Sequence, residues 1–427
     1  MKKSFATLLL ISVFTSVAFC QIRGQQPLVR IDSLPIRDTL PKETQPTVKR
    51  EPPSSREMES EKSQGVSQQE DQLSGRVWVT AEYLLWKMKG SNLPPLITVG
   101  PAGENFATIG QPGTSVVFGG GRLNQGMFPG GRLTVGLWLN NQETVGAEIS
   151  YFLLKKKTFR FQISSSGLPG SLTISIPYLS FDEIRRTIVE NAFQVASDLS
   201  LVGGAETGTF SSRLQGADAS MVYKLRMQCC RFILLAGFRY LDLNEGLTLE
   251  NTSDFFPHIP RSPIAVTRNL TDQFNTRNQF FGGQAGLRST LSNGRVRLEI
   301  SGTVALGSNH ETVNIEGAAT LTVPPLQSPE HNFSSGLLAS TSNIGTYGRN
   351  QFSVIPEVRA SLGFDLTRSV RPFIGYQFLY WDKVVRPGEQ IDRVVNLFTT
   401  GPRRPVFNFQ DSRFWAQGIT AGVRLGF

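Results

Sequence analysis

The sequence predicts an all-β protein, a transmembrane antiparallel β-barrel of about fourteen strands, with twelve to sixteen compatible with the pattern. Three observations support this fold. Residues 76–427 contain many segments in which apolar and polar side chains alternate. Beyond residue 20, no apolar run approaches the roughly 20 residues that a membrane-spanning helix requires. The chain ends on an aromatic residue, Phe427, at the end of a strand pattern with one apolar face.

Residues 1–20 have the pattern of a secretory signal peptide. Two lysines precede an apolar core from Leu8 to Phe19, which is too short for a spanning helix. We expect cleavage near Cys20. The segment before Cys20 also resembles a lipobox, although Phe19 stands where a small residue is expected. Lipidation of Cys20 and its simple removal therefore both stay open.

Residues 21–74 form a polar tract rich in Pro, Gln, Ser, Glu and Lys. Too few apolar side chains are present to offset the entropy of ordering this tract. We expect a disordered periplasmic tether, with a segment that folds on contact with a partner as the alternative. Residues 75–427 form the predicted barrel.

Alternation with a period of two predicts strands that have one apolar and one polar face. The clearest example is Arg295–Val304, which changes polarity at almost every step. The overall composition agrees with this prediction. Apolar residues make up only 39% of the chain, because a barrel places its apolar side chains at every second position.

The lengths of the connections provide a second test of the barrel. Tight turns are predicted at Asn140–Gln142, Gln215–Gly216, Asp242–Glu245, Thr276–Asn278, Gly307–Asn309 and Leu366–Ser369. All lie on one side if strands alternate in direction, and every long connection lies on the other side, together with short ones at 228–230 and 292–294. This asymmetry is typical of outer-membrane barrels. An even strand number also places both termini on one side.

Charged side chains collect on the face opposite the apolar one. A charge facing lipid at mid-bilayer costs roughly 2–4 kcal/mol, so we expect these side chains to face the lumen. They either form cross-strand ion pairs that stiffen the wall or make a basic passage that favours anions. The lumen-facing candidates are Arg132, Glu148, Lys224, Arg226, Arg239, Arg288, Arg295, Arg297, Glu299, Glu357, Arg359 and Arg424.

The segment from Ser180 to Ala192 contains a possible capping box followed by apolar residues at helical spacing. We expect a short helix there, which either narrows the mouth of the barrel or packs on the loops. Eight aromatic residues lie near strand ends and suit the aromatic girdles of a membrane protein. They are Trp78, Trp86, Trp138, Tyr151, Tyr240, Tyr380, Trp381 and Trp415.

Enzyme signatures are poor, and we expect no catalytic residues, metal or cofactor. Histidine occurs three times without metal-ligand spacing. Asn309–Glu311 is the one polar cluster that suggests a hydrolase, and a polar turn explains it better. The formal net charge of +9 is not concentrated in a basic run, which argues against nucleic-acid binding.

The closing residues resemble the C-terminal signal that the barrel assembly machinery reads. Thr420, Gly422, Leu425 and Phe427 carry this resemblance. It predicts that the assembly machinery is a partner and that outer-membrane lipid surrounds the protein.

Several local motifs resemble the beta-barrel porin family BBP7, which is typical of planctomycete bacteria. They include Ala81–Trp86, Gly110–Gly113, Phe238–Glu245 and Thr276–Phe280. The resemblance extends from about Arg76 to Phe427, with Lys87 standing where a second Trp is expected. It implies a bacterial outer-membrane barrel with pore activity and carries over no catalytic residue.

Two functions fit these observations. The first is a porin that lets small hydrophilic solutes diffuse through, with a weak preference for anions. The alternative is a plugged structural or adhesive barrel, whose loops bind envelope or extracellular components.

Overall fold

The computed structural model describes residues 76–182, 187–226, 231–256, 266–323, 331–397 and 401–427. The predicted signal peptide, the predicted tether and Ile184 lie outside these residues. The described residues form one 3-10 turn, Pro387–Gln390, and eighteen strands: β1 (Val77–Met88), β2 (Ser91–Leu93), β3 (Ile97–Gly100), β4 (Ser115–Phe118), β5 (Gly121–Leu123), β6 (Met127–Trp138), β7 (Val145–Leu154), β8 (Lys157–Ser165), β9 (Thr173–Asp182), β10 (Thr187–Ala196), β11 (Val202–Arg226), β12 (Arg231–Phe255), β13 (Val266–Asn293), β14 (Val296–Thr322), β15 (His331–Phe333), β16 (Gly345–Phe364), β17 (Val370–Val385) and β18 (Asp411–Gly426).

Ten of the described strands pair edge to edge into a closed antiparallel ring. Their order is β11, β12, β13, β14, β16, β17, β18, β1, β6 and β7, and β7 pairs again with β11. β8 continues the line of β7, because both strands pair with successive parts of β11. The predicted antiparallel barrel is confirmed.

The last strand of the chain closes the ring. β18 pairs with β1 from Trp78 opposite Gly426 to Met88 opposite Ala416. At the end of this seam, the backbones of Val77 and Phe427 exchange two hydrogen bonds, of 3.2 and 2.8 Å.

The four residues of the expected assembly signal divide between the two faces of β18. Thr420 is buried on the inner face. Gly422 is also on the inner face, where a Cβ would lie 2.5 Å from the Ala81 carbonyl oxygen. Leu425 and Phe427 occupy the outer face, and Phe427 is exposed. Recognition by the assembly machinery stays a prediction.

The ring has ten described strands, fewer than the fourteen expected, and the whole sheet has twelve. The difference comes from four expected turns that lie inside long continuous strands. Gln215–Gly216 is in β11, Asp242–Glu245 in β12, Thr276–Asn278 in β13 and Gly307–Asn309 in β14. Polar residues that point into a barrel interior have the same sequence pattern as a turn.

Without these four turns, every short connection lies at one end of the barrel and every long connection lies at the other. The short connections, at 139–144, 227–230, 294–295 and 365–369, all lie at the end that carries Val77 and Phe427. The long connections, at 89–126, 166–201, 256–265, 323–344 and 386–410, all lie at the opposite end. We call these two ends the short-turn end and the loop end.

The long strands reverse their polarity part-way along their length, as β14 shows most clearly. Its outer face is apolar from Val296 to Leu306 and polar from Ser308 onward. Its inner face is polar from Arg297 to Thr303 and apolar at the fully buried Val313 and Ile315. The apolar outer run of eleven residues matches the 9–11 residues that a strand needs to cross a membrane. The lower half of the barrel therefore has the polarity of a membrane span, and the upper half that of a water-exposed protein.

The inside of the upper half is filled by the long connections. β9 and β10 form a hairpin that joins β3 and β4 in a four-stranded sheet. Ile174 and Ile176 of β9 pack in one core with Phe210, Leu247 and other inner-face residues of the ring.

The prediction of a helix at 180–192 was wrong for its described residues. Ile188 pairs with Phe181 and Ala192 pairs with Pro177 in the β9–β10 hairpin. Alternating residues that pack one face of the hairpin on the core outweighed the local helical spacing. No helix in the described part of the chain is long and apolar enough to span a membrane.

The polarity reversal predicts different tolerances to charge along the outer face of β14. Ile300→Arg places a cation in the middle of the apolar run, and we expect it to lower the free energy of unfolding by about 2–4 kcal/mol. Thr312→Arg lies on the same face above that run and should change it by less than about 0.5 kcal/mol. Urea unfolding in lipid vesicles, followed by heat-modifiable gel migration, measures both. Equal effects of the two substitutions would contradict the assigned membrane span.

Candidate functional site

The candidate site is the bore of the barrel, which contains a charged layer, an apolar layer and a second polar layer in order from the short-turn end. The charged layer contains most of the inner-face residues predicted from alternation, together with Asp218, Asp365 and Arg371, which are not among those candidates. Some of the ion pairs within it connect neighbouring strands, and three connect strands that are three places apart in the ring.

Arg239 of β12 lies at the centre of one group of charges. Its Nε is 2.6 Å from Asp218 Oδ1 on β11, and its Nη2 is 2.8 Å from Glu357 Oε2 on β16. Glu357 also pairs with Arg359 on its own strand. Arg239 and Glu357 are both buried. Because β12 and β16 are three places apart in the ring, the Arg239–Glu357 pair reaches across the bore.

A second group contains Glu148, Arg288, Glu299 and Arg424. Arg288 of β13 donates to both carboxylate oxygens of Glu148 on β7, at 3.1 and 2.8 Å. Glu299 of β14 lies 3.7 Å from Arg288 Nε and accepts a 3.2 Å hydrogen bond from Arg424 on β18. The partners Arg288 and Glu148 are also three strands apart. This group therefore spans the bore as well.

Arg132 joins the charged layer to the apolar layer. Its Nη1 lies 3.3 Å from Glu82 Oε2. Its guanidinium carbon lies 5.5 Å from the ring centre of Trp86 and 5.3 Å from that of Phe152. A desolvated cation over an aromatic ring is stabilised by about 2 kcal/mol.

The remaining predicted residues lie near the short-turn end. Arg297 pairs with Asp365 at 2.5 Å, and Arg371 pairs with the same carboxylate. Lys224 lies 3.5 Å from a Glu143 carboxylate oxygen and 4.4 Å from the ring centre of Trp138.

Two predicted lumen residues differ from the expectation. Arg295 lies in the exposed turn just before β14, because the alternation continues one step past the start of the strand. Arg226 pairs with Arg231 through the backbone at the end of β11, and its side chain lies outside the described residues.

The charged layer is nearly neutral among the described residues. Seven guanidinium groups face six carboxylates, which leaves one net positive charge. The guanidinium groups are those of Arg132, Arg239, Arg288, Arg297, Arg359, Arg371 and Arg424, and the carboxylates are those of Glu82, Glu148, Asp218, Glu299, Glu357 and Asp365.

An apolar layer, which we call the septum, lies above the charges. Every one of the ten ring strands contributes at least one buried apolar side chain to it. Trp86 and Phe152 pack with ring centres 5.4 Å apart, and Phe280 and Trp381 meet edge to face at 6.2 Å. The septum consists of Leu84, Trp86, Met88, Phe128, Phe152, Leu154, Leu214, Leu241, Leu243, Phe280, Ala305, Ile355, Leu379, Trp381, Val384, Phe414 and Ala416.

The structure corrects the expectation for four of the predicted girdle residues. Trp78 and Trp138 lie on the inner face near the short-turn end, with ring centres 5.0 Å apart. Trp86 and Trp381 are fully buried inside the barrel and do not face lipid. Tyr151 and Tyr240 do lie on the outer face, where Tyr151 donates to Gln215 at 3.1 Å and Tyr240 accepts from Gln279 at 3.3 Å.

Above the septum, inner-face residues of three of the four misassigned turns hold the end of β17 and the connection after it. Glu245 binds Arg386 through two hydrogen bonds, of 2.7 and 2.6 Å, and both side chains are buried. Asn278 exchanges two 2.8 Å hydrogen bonds with the backbone of Val385. Asn309 donates to the Lys383 carbonyl at 3.0 Å. Asn278 and Asn309 therefore anchor the end of β17, and Glu245 anchors the first residue of the β17–β18 connection.

A buried carboxylate holds a second long connection in the upper half, outside the membrane span. Asp272 Oδ1 accepts hydrogen bonds from the backbone N–H groups of Leu338 and Ala339, at 3.0 and 2.7 Å. Burial raises the pKa of the Asp272 carboxyl to about 6, and the N–H donors oppose this shift. Asp272 therefore fixes Leu338 and Ala339, in the connection between β15 and β16, inside the barrel.

The family comparison establishes what this chain is related to. A family model described as "Putative beta barrel porin-7 (BBP7)" matches residues 78–427. The chain belongs to this family. The match covers the whole ring from β1 to the closing strand, and it agrees with the apolar outer face. The protein is therefore a bacterial outer-membrane barrel.

A comparison with curated proteins found no match. Three solved structures are similar at low identity. The outer membrane protease OmpT from Escherichia coli is 8% identical, with a TM-score of 0.36, over 82% of this chain and 97% of that one. A Pseudomonas aeruginosa FadL homologue is 9% identical, with a TM-score of 0.22, over 82% and 90%. The P. putida toluene transporter TodX is 8% identical, with a TM-score of 0.18, over 83% and 90%.

The sequence did not predict the septum or the Glu245–Arg386 ion pair that holds the β17–β18 connection. A signal for the septum was present in β1, where the inner-face series passes from Thr80 and Glu82 to Leu84, Trp86 and Met88. No comparable local signal identifies the Glu245–Arg386 pair, because its members are 141 positions apart.

Because of the ion pairs that span the bore, removing a buried arginine should lower the free energy of unfolding much more than removing an exposed one. Arg239→Ala leaves Asp218 and Glu357 without their buried partner, and we expect a loss of about 3–5 kcal/mol in the free energy of unfolding. Arg160→Ala removes an exposed cation and should change it by less than about 0.5 kcal/mol. Denaturant unfolding of both variants in detergent measures the difference. A loss below about 1 kcal/mol for Arg239→Ala would show that the pair contributes little.

Proposed function

We propose that this outer-membrane barrel has a bore closed by the septum and serves as a structural or adhesive surface barrel. Its folded loop end would bind envelope or extracellular components. The observation that carries the proposal is the septum, to which every ring strand contributes buried apolar side chains. A hydrated ion that crossed it would lose its water without gaining polar partners, which is energetically costly. Hydrophobic constrictions close other channels in this way.

The loop end supports this proposal through its own packing. β9 and the 331–344 segment fill the upper half, and Leu337, Leu338 and Ala339 are buried with the β9 residues in one core. Long connections that were only gates would not require a core of this extent. The loops instead present a folded surface to the outside.

A second candidate function is passive diffusion of small hydrophilic solutes with a weak preference for anions. The family description favours it, and so does a cavity of about 810 Å³, its open mouth included, on the short-turn side of the septum. Glu148, Arg288 and Arg424 line this cavity. Passage would require the septum side chains to move apart and the Glu245–Arg386 ion pair to break. The single net positive charge of the layer would give only weak selectivity.

We further propose that the chain is not an enzyme. The cluster that suggested a hydrolase is split between the two faces of β14. His310 is on the outer face, with Nδ1 2.9 Å from Asn350 Oδ1. Asn309 and Glu311 face inward and are buried. The three side chains therefore do not converge on one substrate.

Single-channel recording in planar bilayers tests whether the bore is closed. We expect no conductance steps from the native chain, and discrete steps from the double variant Trp86→Ala/Trp381→Ala, because it removes the two largest septum side chains. The matched control is Phe352→Ala, which truncates an exposed aromatic on the outer face and should leave the bilayer silent. Regular conductance steps from the native chain would overturn the closed bore and favour the diffusion pore.

Protease and lipase assays test the absence of enzymatic activity. We expect the native chain and His310→Ala to give the same background rate. Hydrolysis by the native chain that falls at least tenfold in His310→Ala would contradict the proposal.

A further inference from the structure

A group of cations lies on the outer wall of the barrel, at the upper edge of the apolar outer face. Lys155 and Lys156 lie between β7 and β8, Arg160 is in β8, and Arg213 is in β11. We call these four residues the outer-wall basic patch. The two lysines and Arg160 are exposed, and Arg213 is partly exposed.

The strand register brings the four residues together. β11 pairs Gln215 with Leu153 and Ser212 with Lys157, so Arg213 lies opposite the segment between β7 and β8 that contains the two lysines. Arg160 pairs with Thr209, four positions along β11 from Arg213. With a rise of about 3.3 Å per residue and strands about 4.8 Å apart, the patch is about 13 Å long. That length is comparable to the width of one or two lipid head groups.

The patch differs from the cations inside the barrel in its lack of partners. The arginines of the charged layer pair with carboxylates. In the part of the chain that the structure describes, neither of the lysines, nor Arg160, nor Arg213 has a hydrogen bond or ion pair through its side chain. Adjacent cations without a counter-charge repel one another, so this arrangement favours an external anion.

The patch directly continues the lipid-facing wall. Leu153, two residues before Lys155, is exposed on the outer face, and so is Tyr151. The hydrogen bond from Tyr151 to Gln215 marks the height at which the outer face becomes polar. In bacterial barrels the short turns are periplasmic, so the patch lies at the level of the outer leaflet's head groups.

We propose that the outer-wall basic patch binds the phosphate groups of outer-leaflet lipids, while the acyl chains of those lipids lie on the apolar wall below. Arg213 and Arg160 supply planar groups that can donate two hydrogen bonds to one phosphate, and the lysines supply point charges. A lipid phosphate is the anion present at this height on a barrel in its membrane. The inference depends on the membrane position of the barrel and not on whether its bore is closed.

Native mass spectrometry of the full chain in detergent tests the proposal by counting bound lipid. The probes are diphosphorylated lipid A, its dephosphorylated form, and inorganic phosphate as a competitor. We expect the native chain to retain the diphosphorylated form preferentially. The double variant Lys156→Gln/Arg213→Gln should bind it about fivefold more weakly for each charge removed. Inorganic phosphate should not displace the lipid, because it cannot occupy the apolar wall.

Two matched variants separate lipid binding from general effects. Lys156→Arg/Arg213→Lys keeps both charges and should retain the lipid. Arg122→Gln/Arg403→Gln removes two exposed cations from the loop end and should also retain it. All variants should show the heat-modifiable migration of a folded barrel. Equal retention by the patch variant and the native chain, equal retention of both lipid forms, or displacement by inorganic phosphate would each overturn the proposal.

Discussion

The structure depends on the pairing of β18 with β1, since this seam leaves the ring without an open edge. A strand in a bilayer has no water to satisfy its backbone N–H and C=O groups, so an unpaired edge is energetically unacceptable there. Eleven residue pairs form the seam, and the terminal backbone bonds between Val77 and Phe427 complete it. Once the ring is closed, alternate side chains must face either lipid or the bore. The charged layer and the septum are therefore consequences of closure combined with side-chain alternation.

Each long strand passes through two different environments along its length. Along β14, the outer face changes from apolar to polar near Ser308, and the inner face changes in the opposite sense. The first arrangement suits a bilayer, and the second suits a protein domain in water with its own core. This second part gives the long connections an apolar surface on which to fold. Glu245 and Asp272 then fix two of those connections through hydrogen bonds, and Asn278 fixes the end of β17.

The sequence was sufficient to predict the antiparallel barrel. Alternation places Arg239 and Glu357 on the inner face whatever the strand count, because a period of two depends only on local geometry. The number of strands was harder to predict from the sequence. Polar residues such as Asn278 have the same pattern in a turn as on an inner face that binds another segment. Partners such as Glu245 and Arg386 could not be predicted, because only the closed ring brings them together.

The ion pairs that cross the bore bear on the order of events during assembly. Arg239 and Glu357, like Arg424 and Glu299, belong to strands three places apart, so an extended sheet holds these charges too far apart to pair. They meet only when the sheet curls. Until then, the inner face carries arginines and carboxylates that remain in contact with water. Transfer into the bilayer and curling are therefore coupled: a flat intermediate would have to take Arg424 and Glu148 into the membrane without the partners that they have across the bore, and a curled one would already have neutralised them.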